Sequence, residues 1–259
     1  YFESYMNRVL TTPFYSAYLK LGEGCSNKCA FCIIPKIRGQ FRSRSPESII
    51  AETRHFAQHG VKEFNLISQD TTMYGVDLKM KNGLVQLLKS LSKINGIEWM
   101  RLFYCYPTFI NSELIEYIAS EEKVCNYVDV PLQHTHDFML KRMKRQETEK
   151  GVRSMIDELR TKVQGIALRT TFITGFPGET DDQFAELVEF VNETQFDRLG
   201  VFSYSFEEAT PSANLTDHID EDVKAARRET LMLAQQQIMY QRNKSLVNSR
   251  LAVMVDQAV

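Results

Sequence analysis

Short runs of apolar, β-branched and aromatic residues alternate along this chain with longer stretches whose apolar positions recur every three or four residues. The first pattern suits buried strands and the second suits helices with one covered face. Strands are predicted over 16–20, 63–67, 99–103, 127–130, 167–173 and 198–204. The helices between them open on visible caps. Ser45-Pro46-Glu47 places a hydroxyl at the N-cap and proline in the first turn. Thr180 and Gln183 form a capping box, with Asp181 and Asp182 favoured by the helix dipole. A final helix is predicted over 220–248, with Val223, Ala226, Leu231, Ala234 and Ile238 as its apolar stripe and Met232 and Met239 packing beside it. The alternation predicts an α/β fold, a parallel sheet covered by helices. Six units fall short of the eight of a closed barrel. The expected architecture is therefore an open partial (β/α)6 TIM-like barrel, with a lateral opening wide enough for a macromolecular substrate.

In parallel α/β folds chemistry gathers at the carboxyl ends of the strands. The unusual residues of this chain fall there: a cysteine loop after the first strand, Ser68-Gln69-Asp70 after the second and Tyr104-Cys105-Tyr106-Pro107 after the third. Pro131-Leu132-Gln133-His134 follows the fourth, Gly175-Phe176-Pro177-Gly178-Glu179 the fifth and Ser205-Phe206-Glu207-Glu208 the sixth. Any one could be turn chemistry. Six on one rim point to a shared site.

The 259 residues, 43% of them apolar, are enough for one domain of this size, and a net charge of −2 excludes a broad polyanion binder. No run approaches the roughly 18 apolar residues of a membrane helix. Five cysteines, three in one motif, suit cofactor ligation in a reducing compartment, with the cytoplasm expected. Tyr1 opens the chain, and residues 1–15 lead almost directly into the first strand, as in a piece of a longer protein.

Cys25, Cys29 and Cys32 stand in the spacing CxxxCxxC. A 4Fe-4S cubane ordinarily takes four cysteines, so three in one short loop leave one iron open. The competing reading is structural zinc, which wants a fourth Cys or His, usually in a second close pair. None follows: Cys105 and Cys125 are isolated and suit buried thiols, and the nearest histidine, His55, lies in a predicted helix. His134 and His136 suit loop chemistry, and His55 and His59 a solvated helix face. The clusters Arg38, Arg42, Arg44 and Lys141, Arg142, Lys144, Arg145 are read as exposed surface.

Gly24-Cys25-Ser26-Asn27-Lys28-Cys29-Ala30-Phe31-Cys32 resembles the signature loop of the radical S-adenosylmethionine enzymes. The resemblance implies a 4Fe-4S cluster held by three cysteines, S-adenosylmethionine chelated on the open iron, and one-electron cleavage to a 5′-deoxyadenosyl radical. The stretches 61–71, 127–134, 140–145 and 168–180 resemble the methylthiotransferases of that family. Ser68-Gln69-Asp70-Thr71 and Pro131-Leu132-Gln133-His134 are similar to the RimO-type branch, which modifies an aspartate of the twelfth protein of the small ribosomal subunit; the alternative branch acts on tRNA adenosine. A non-enzymatic zinc or iron-sulfur module is the reading from a different class.

By that resemblance Phe31 lies against the adenine side of the cofactor. Ser68, Gln69 and Asp70 hold its amino group or face substrate, Gln133 and Arg169 reach its ribose or carboxylate, and Gly175 and Gly178 let the backbone approach the adenosine. It also implies a flavodoxin or ferredoxin reductant, and it implies neither a membrane partner nor direct nucleic-acid binding by this stretch. Residues 1–15 would link to a separate domain with a second 4Fe-4S cluster, 16–248 would be the radical core, and 249–259 would begin a TRAM-like β-barrel.

Overall fold

A computed structural model describes residues 8–255 of the chain. Its strands and helices, in order, are β1 (Ser16–Lys20), β2 (Gly22–Glu23), α1 (Ile34–Arg38), β3 (Arg42–Ser43), α2 (Pro46–Gln58), β4 (Glu63–Ile67), α3 (Gly83–Leu91), β5 (Trp99–Leu102), α4 (Ser112–Ser120), β6 (Val124–Asp129), α5 (Asp137–Arg142), α6 (Glu149–Lys162), β7 (Ala167–Thr174), α7 (Asp181–Thr194), β8 (Arg198–Ser203) and α8 (Glu221–Ser245). Six strands form one parallel sheet in the order β1-β4-β5-β6-β7-β8, and β2 and β3 make a separate antiparallel ribbon. Strands β1 and β8 are the two edges, as the open (β/α)6 reading requires. The part of the 1–15 linker that lies in residues 1–7 is outside the described residues; residues 249–255 carry no strand.

The core forms between this sheet and the helices that return along its outer face. Leu19, Leu66, Leu102, Val128 and Phe172, one from each of five strands, are fully buried, each side chain contributing about 1.5–3 kcal/mol relative to exposure. Phe172, Phe190 and Phe196 pack edge-on or tilted with centroids 6.0–6.5 Å apart, fixing α7 on the sheet. The predicted caps form: Ser45 accepts from the Ser48 N–H at 3.3 Å, and Thr180 and Gln183 complete their reciprocal box.

Two expectations change. Strand β6 starts at Val124, three residues early, its exposed Asn126 held by the Gln164 carbonyl. On α8, Val223 and Met232 are exposed, and so is Ala226. The covered face is Lys224, Arg227, Leu231, Gln235 and Ile238. Two cations stand on that face: Arg227 meets Glu179 and Asp181 from far along the chain, and Lys224 meets Glu221 of its own helix and the Tyr204 ring.

Candidate active site

The cysteine loop is shaped before any cofactor is considered. Leu21 continues β1 by donating to the Ile67 carbonyl, and the β2–β3 ribbon then turns the chain at Gly24. Gly24 has φ +80°, and a Cβ there would stand 2.3 Å from the Gln40 carbonyl oxygen, so only glycine fits. Past that turn the Cys25 N–H bonds the Gly39 carbonyl, Ala30 N–H bonds Met143 at the end of α5, and Cys32 N–H bonds Cys29. Buried Asn27 donates to Asp70 Oδ2 at 2.7 Å, tying the loop to the end of β4.

The three cysteines line one cleft of about 300 Å³ at the carboxyl ends of the strands, at the small end of the range for ligand sites. Phe31, Gln69, Asp70 and Gln133 line it with them. So do Asn27 of the cysteine loop and Tyr104, Tyr106 and Pro131 of the rim loops read from the sequence, together with three residues the sequence did not assign to a site: Arg145, Thr171 and Phe202. Cys105, read as a buried thiol, is 1% exposed and also borders the cleft. Ser68, Arg169, Gly175 and Gly178 are not among the lining residues. Ser68 bonds locally to Thr71, and Arg169 lies on β7 below the cleft, paired with Asp129. Gly175 and Gly178 are both at positive φ and have close neighbours on their Cα. A Cβ on Gly175 would meet the Lys224 side chain at 2.3 Å, and one on Gly178 would meet Asp217 at 2.5 Å and Arg142 at 2.9 Å. Asp70 is fully engaged, accepting from Asn27 and from the Thr72 and Met73 N–H groups that open a short 3-10 turn.

Arg145 corrects the surface reading of its basic cluster. Its side chain is 4% exposed and forms an ion pair with Glu147; it donates to the Pro131 carbonyl at 2.8 Å and stacks 4.3 Å over the Tyr106 ring. Nη1 comes within 3.9 Å of Cys29 Sγ. Arg44 is likewise buried, between Glu52, Ser48 and the Lys20 carbonyl. No local signal separates these arginines from their exposed neighbours, since tertiary partners decide.

Burial pushes the Cys25 thiol up to about 11. It also raises Cys29, against the opposing pull of Arg145. Metal binding to these groups therefore releases protons. Two backbone outliers flank the cleft: Tyr104 at φ +55° and Gln133 at φ +69°. Gln133 is clamped by its N–H to the Thr171 carbonyl and its own carbonyl to the Ile173 N–H, both at 2.8 Å. Left-handed backbone at non-glycine residues persists only where surroundings enforce it, and it clusters at functional sites.

Behind the cleft wall, His134 is wholly buried. Its Nδ1 accepts from the Thr135 and His136 N–H groups at 2.9 and 3.0 Å, so the proton sits on Nε2, which is 3.9 Å from Glu179. Burial, with His136 and Arg227 nearby, pushes His134 down to about 3. Glu179 accepts from the Gly175 N–H at 2.9 Å and from Arg227 at 2.8 Å. Burial outweighs those partners and raises its carboxyl to about 7.

A parallel six-strand partial barrel with three thiols of a CxxxCxxC loop in one cleft defines a class. Residues 19–191 match the family model of the Radical SAM superfamily, and the chain belongs to that superfamily. Among proteins of known name it is similar to the ribosomal protein uS12 methylthiotransferase RimO of Geotalea uraniireducens, 49% identical over 96% of this chain and 56% of that protein. The RimO of Clostridioides difficile is 47% identical over 100% of this chain and 58% of its own length. The chain thus spans little more than half of these relatives. Among solved structures, coproporphyrinogen III oxidase (HemN) of Escherichia coli, a radical SAM enzyme, superposes with TM-score 0.60 at 15% identity, over 86% of this chain and 52% of that one. TsrM of Kitasatospora setae reaches 0.63 at 17%, over 76% and 38%. These two share the fold.

The residues present fit the superfamily's cofactors, a 4Fe-4S cluster and S-adenosylmethionine. Among the described residues no group of three or more His, Cys, Asp or Glu converges on a single metal ion. A cubane spreads its thiolates over separate irons. The walls around them are largely apolar and aromatic, with a buried guanidinium beside Cys29 to balance thiolate charge.

Proposed function

We propose that this chain is the radical core of an enzyme that adds a methylthio group to the β-carbon of an aspartate in ribosomal protein uS12. The observation that carries the reading is the cleft itself, three thiols of one loop with Phe31, Gln133 and Arg145 on its walls, in a chain nearly half identical to RimO proteins. When bound, the cluster and S-adenosylmethionine supply one-electron chemistry for hydrogen abstraction. Cys25, Cys29 and Cys32 would hold the cluster. Arg145 presents a fork suited to the cofactor's carboxylate, Gln133 an amide for polar contact, and Phe31, braced edge-on by Phe176 at 6.5 Å, an aromatic wall. Tyr106 and Pro131 exclude water, which protects a reactive intermediate. Hydrogen abstraction needs no acid-base dyad, and His134, neutral and sealed from the cleft, is placed to shape its loop.

The remaining length of the relatives leaves room for the second cluster domain and the TRAM-like barrel expected from the sequence. A flavodoxin or ferredoxin would deliver electrons. No described helix is long and apolar enough to cross a membrane, which fits a cytoplasmic enzyme working on ribosomal protein. The test is anaerobic reconstitution of the full-length protein with iron and sulfide, followed by reduction in the presence of S-adenosylmethionine and uS12. Formation of 5′-deoxyadenosine and a methylthio mass increment on the uS12 aspartate is the expected result. Modification of tRNA and not of uS12 refutes the substrate, and absence of 5′-deoxyadenosine refutes the chemistry.

A further inference from the structure

We infer that Arg169 recognises the acidic side chain of the protein substrate inside the open barrel. The inference rests on the reading of the chain as an enzyme acting on aspartate.

Side chains alternate across β7: Leu168, Thr170, Phe172 and Thr174 are buried in the outer core, while Arg169 and Thr171 face the other way. Thr171 lines the cysteine cleft. Arg169 therefore lies on the same inner face, two residues or about 7 Å further into the barrel. Its side chain is 47% exposed, although it projects from a strand with a paired neighbour on each side.

Two other arginines of this region are committed, and Arg198, the register partner of Arg169 on β8, is turned to the Asp197 carbonyl and the Met239 sulfur. Arg101 holds Glu63 through two nitrogens at 3.2 and 3.0 Å and lies 5.0 Å over the Tyr127 ring. Arg145 is already assigned to the cofactor's carboxylate and is held by Glu147, Pro131 and Tyr106. Arg169 has Asp129, its register partner on β6, only at 3.7 Å from Nε, beyond hydrogen-bond range, and the Tyr127 hydroxyl beside it. Among the described residues it makes no hydrogen bond to a carboxylate. Asp129 itself is 2% exposed and accepts from the Tyr104 N–H. It thus stands beside the fork without consuming its donors.

A planar guanidinium with donors that no carboxylate takes, facing the open interior one step below the reacting cleft, is matched to a carboxylate. The rings bordering that space, Phe202 at 64% and Tyr104 at 50% exposure, offer apolar contact to the polypeptide carrying it.

The test compares the full-length enzyme with its Arg169→Gln and Arg169→Lys variants. The ligands are two peptides spanning the modified segment of uS12, one with the target aspartate and one with asparagine there, and Kd is measured for each. Wild type should prefer the aspartate peptide by about 10- to 100-fold, the range for a charge-assisted hydrogen-bonded pair. In Arg169→Gln the preference should fall to within about twofold of unity, with Arg169→Lys between. Because the readout is a ratio on the same molecules, partial misfolding cancels. A preference that survives Arg169→Gln overturns the assignment, as does an intact ratio with lost S-adenosylmethionine affinity, which would move Arg169 to the cofactor. A wild type that binds neither peptide strikes the aspartate reading itself, a failure distinct from that of Arg169.

Discussion

Replacing Arg227 by methionine tests whether α8 is held to the site by a buried charge. Arg227 is 8% exposed and bridges Glu179 at 2.8 Å, with Asp181 at 2.6 Å on its other nitrogen. Methionine fills the volume but leaves the Glu179 carboxyl buried without its cation. Breaking a buried pair from one side costs about 3–5 kcal/mol. The sign of the pH effect follows from Glu179, whose carboxyl already sits near 7 in place of its ordinary 4.5. Its contribution to stability is full below 4.5 and is lost as pH rises through about 7. Arg227 opposes that rise, so its removal lifts the carboxyl further, and the deficit of the variant must grow with pH by about 1.4 kcal/mol for each added unit. Urea unfolding followed by the fluorescence of the single tryptophan, Trp99, gives both numbers. The expected deficit is about 3–5 kcal/mol at pH 8.5, smaller at pH 5.5, and largely recovered when Glu179→Gln is added. A deficit below about 1 kcal/mol, or one that is flat with pH, would refute the argument that this carboxylate is sealed from water.

Three further outcomes are expected. Alanine at Cys25, Cys29 or Cys32 should take bound iron in the reconstituted core from about four per chain to below one, while alanine at Cys125, outside the cleft, leaves it unchanged; iron assay and the visible spectrum decide. His134, neutral in the fold down to about pH 3, stabilises the protein above its ordinary 6.5 and ceases to as pH falls below that value. The stability gap between wild type and His134→Asn should therefore shrink by about 2 kcal/mol from pH 7.5 to 5, and a constant gap in urea titrations contradicts this. Gln133→Gly relieves a left-handed backbone costing about 1–2 kcal/mol against about 0.5–1 kcal/mol of added chain entropy. A slightly higher urea midpoint together with weaker S-adenosylmethionine binding by calorimetry is expected, and a fall in stability would show that the amide holds the loop.

The parts of the fold legible in the sequence were those decided locally. Apolar runs marked each strand, and Ser45 and Thr180 marked helix starts, because a cap is made within four residues. The cysteine spacing was legible for the same reason, since its three ligands share one loop. What escaped was set by contacts far along the chain. Arg145 resembles Lys141 and Lys144 until Tyr106 and Pro131 enclose it. Lys224 and Arg227 break the helical stripe because Tyr204, Glu179 and Asp181 supply partners that no periodicity reveals. The close neighbours of Gly175 and Gly178, Lys224 and Asp217, likewise come from far along the chain.

The strand order has a bearing on how the molecule is made. Every strand of the large sheet pairs with the one preceding it in synthesis, β4 on β1 and then onward to β8. Each newly emerged strand finds its mate already in place, so growth can proceed as successive additions to a standing edge. No strand of this sheet pairs out of sequence, so only its first strand and its newest one stand as open edges at each stage of growth.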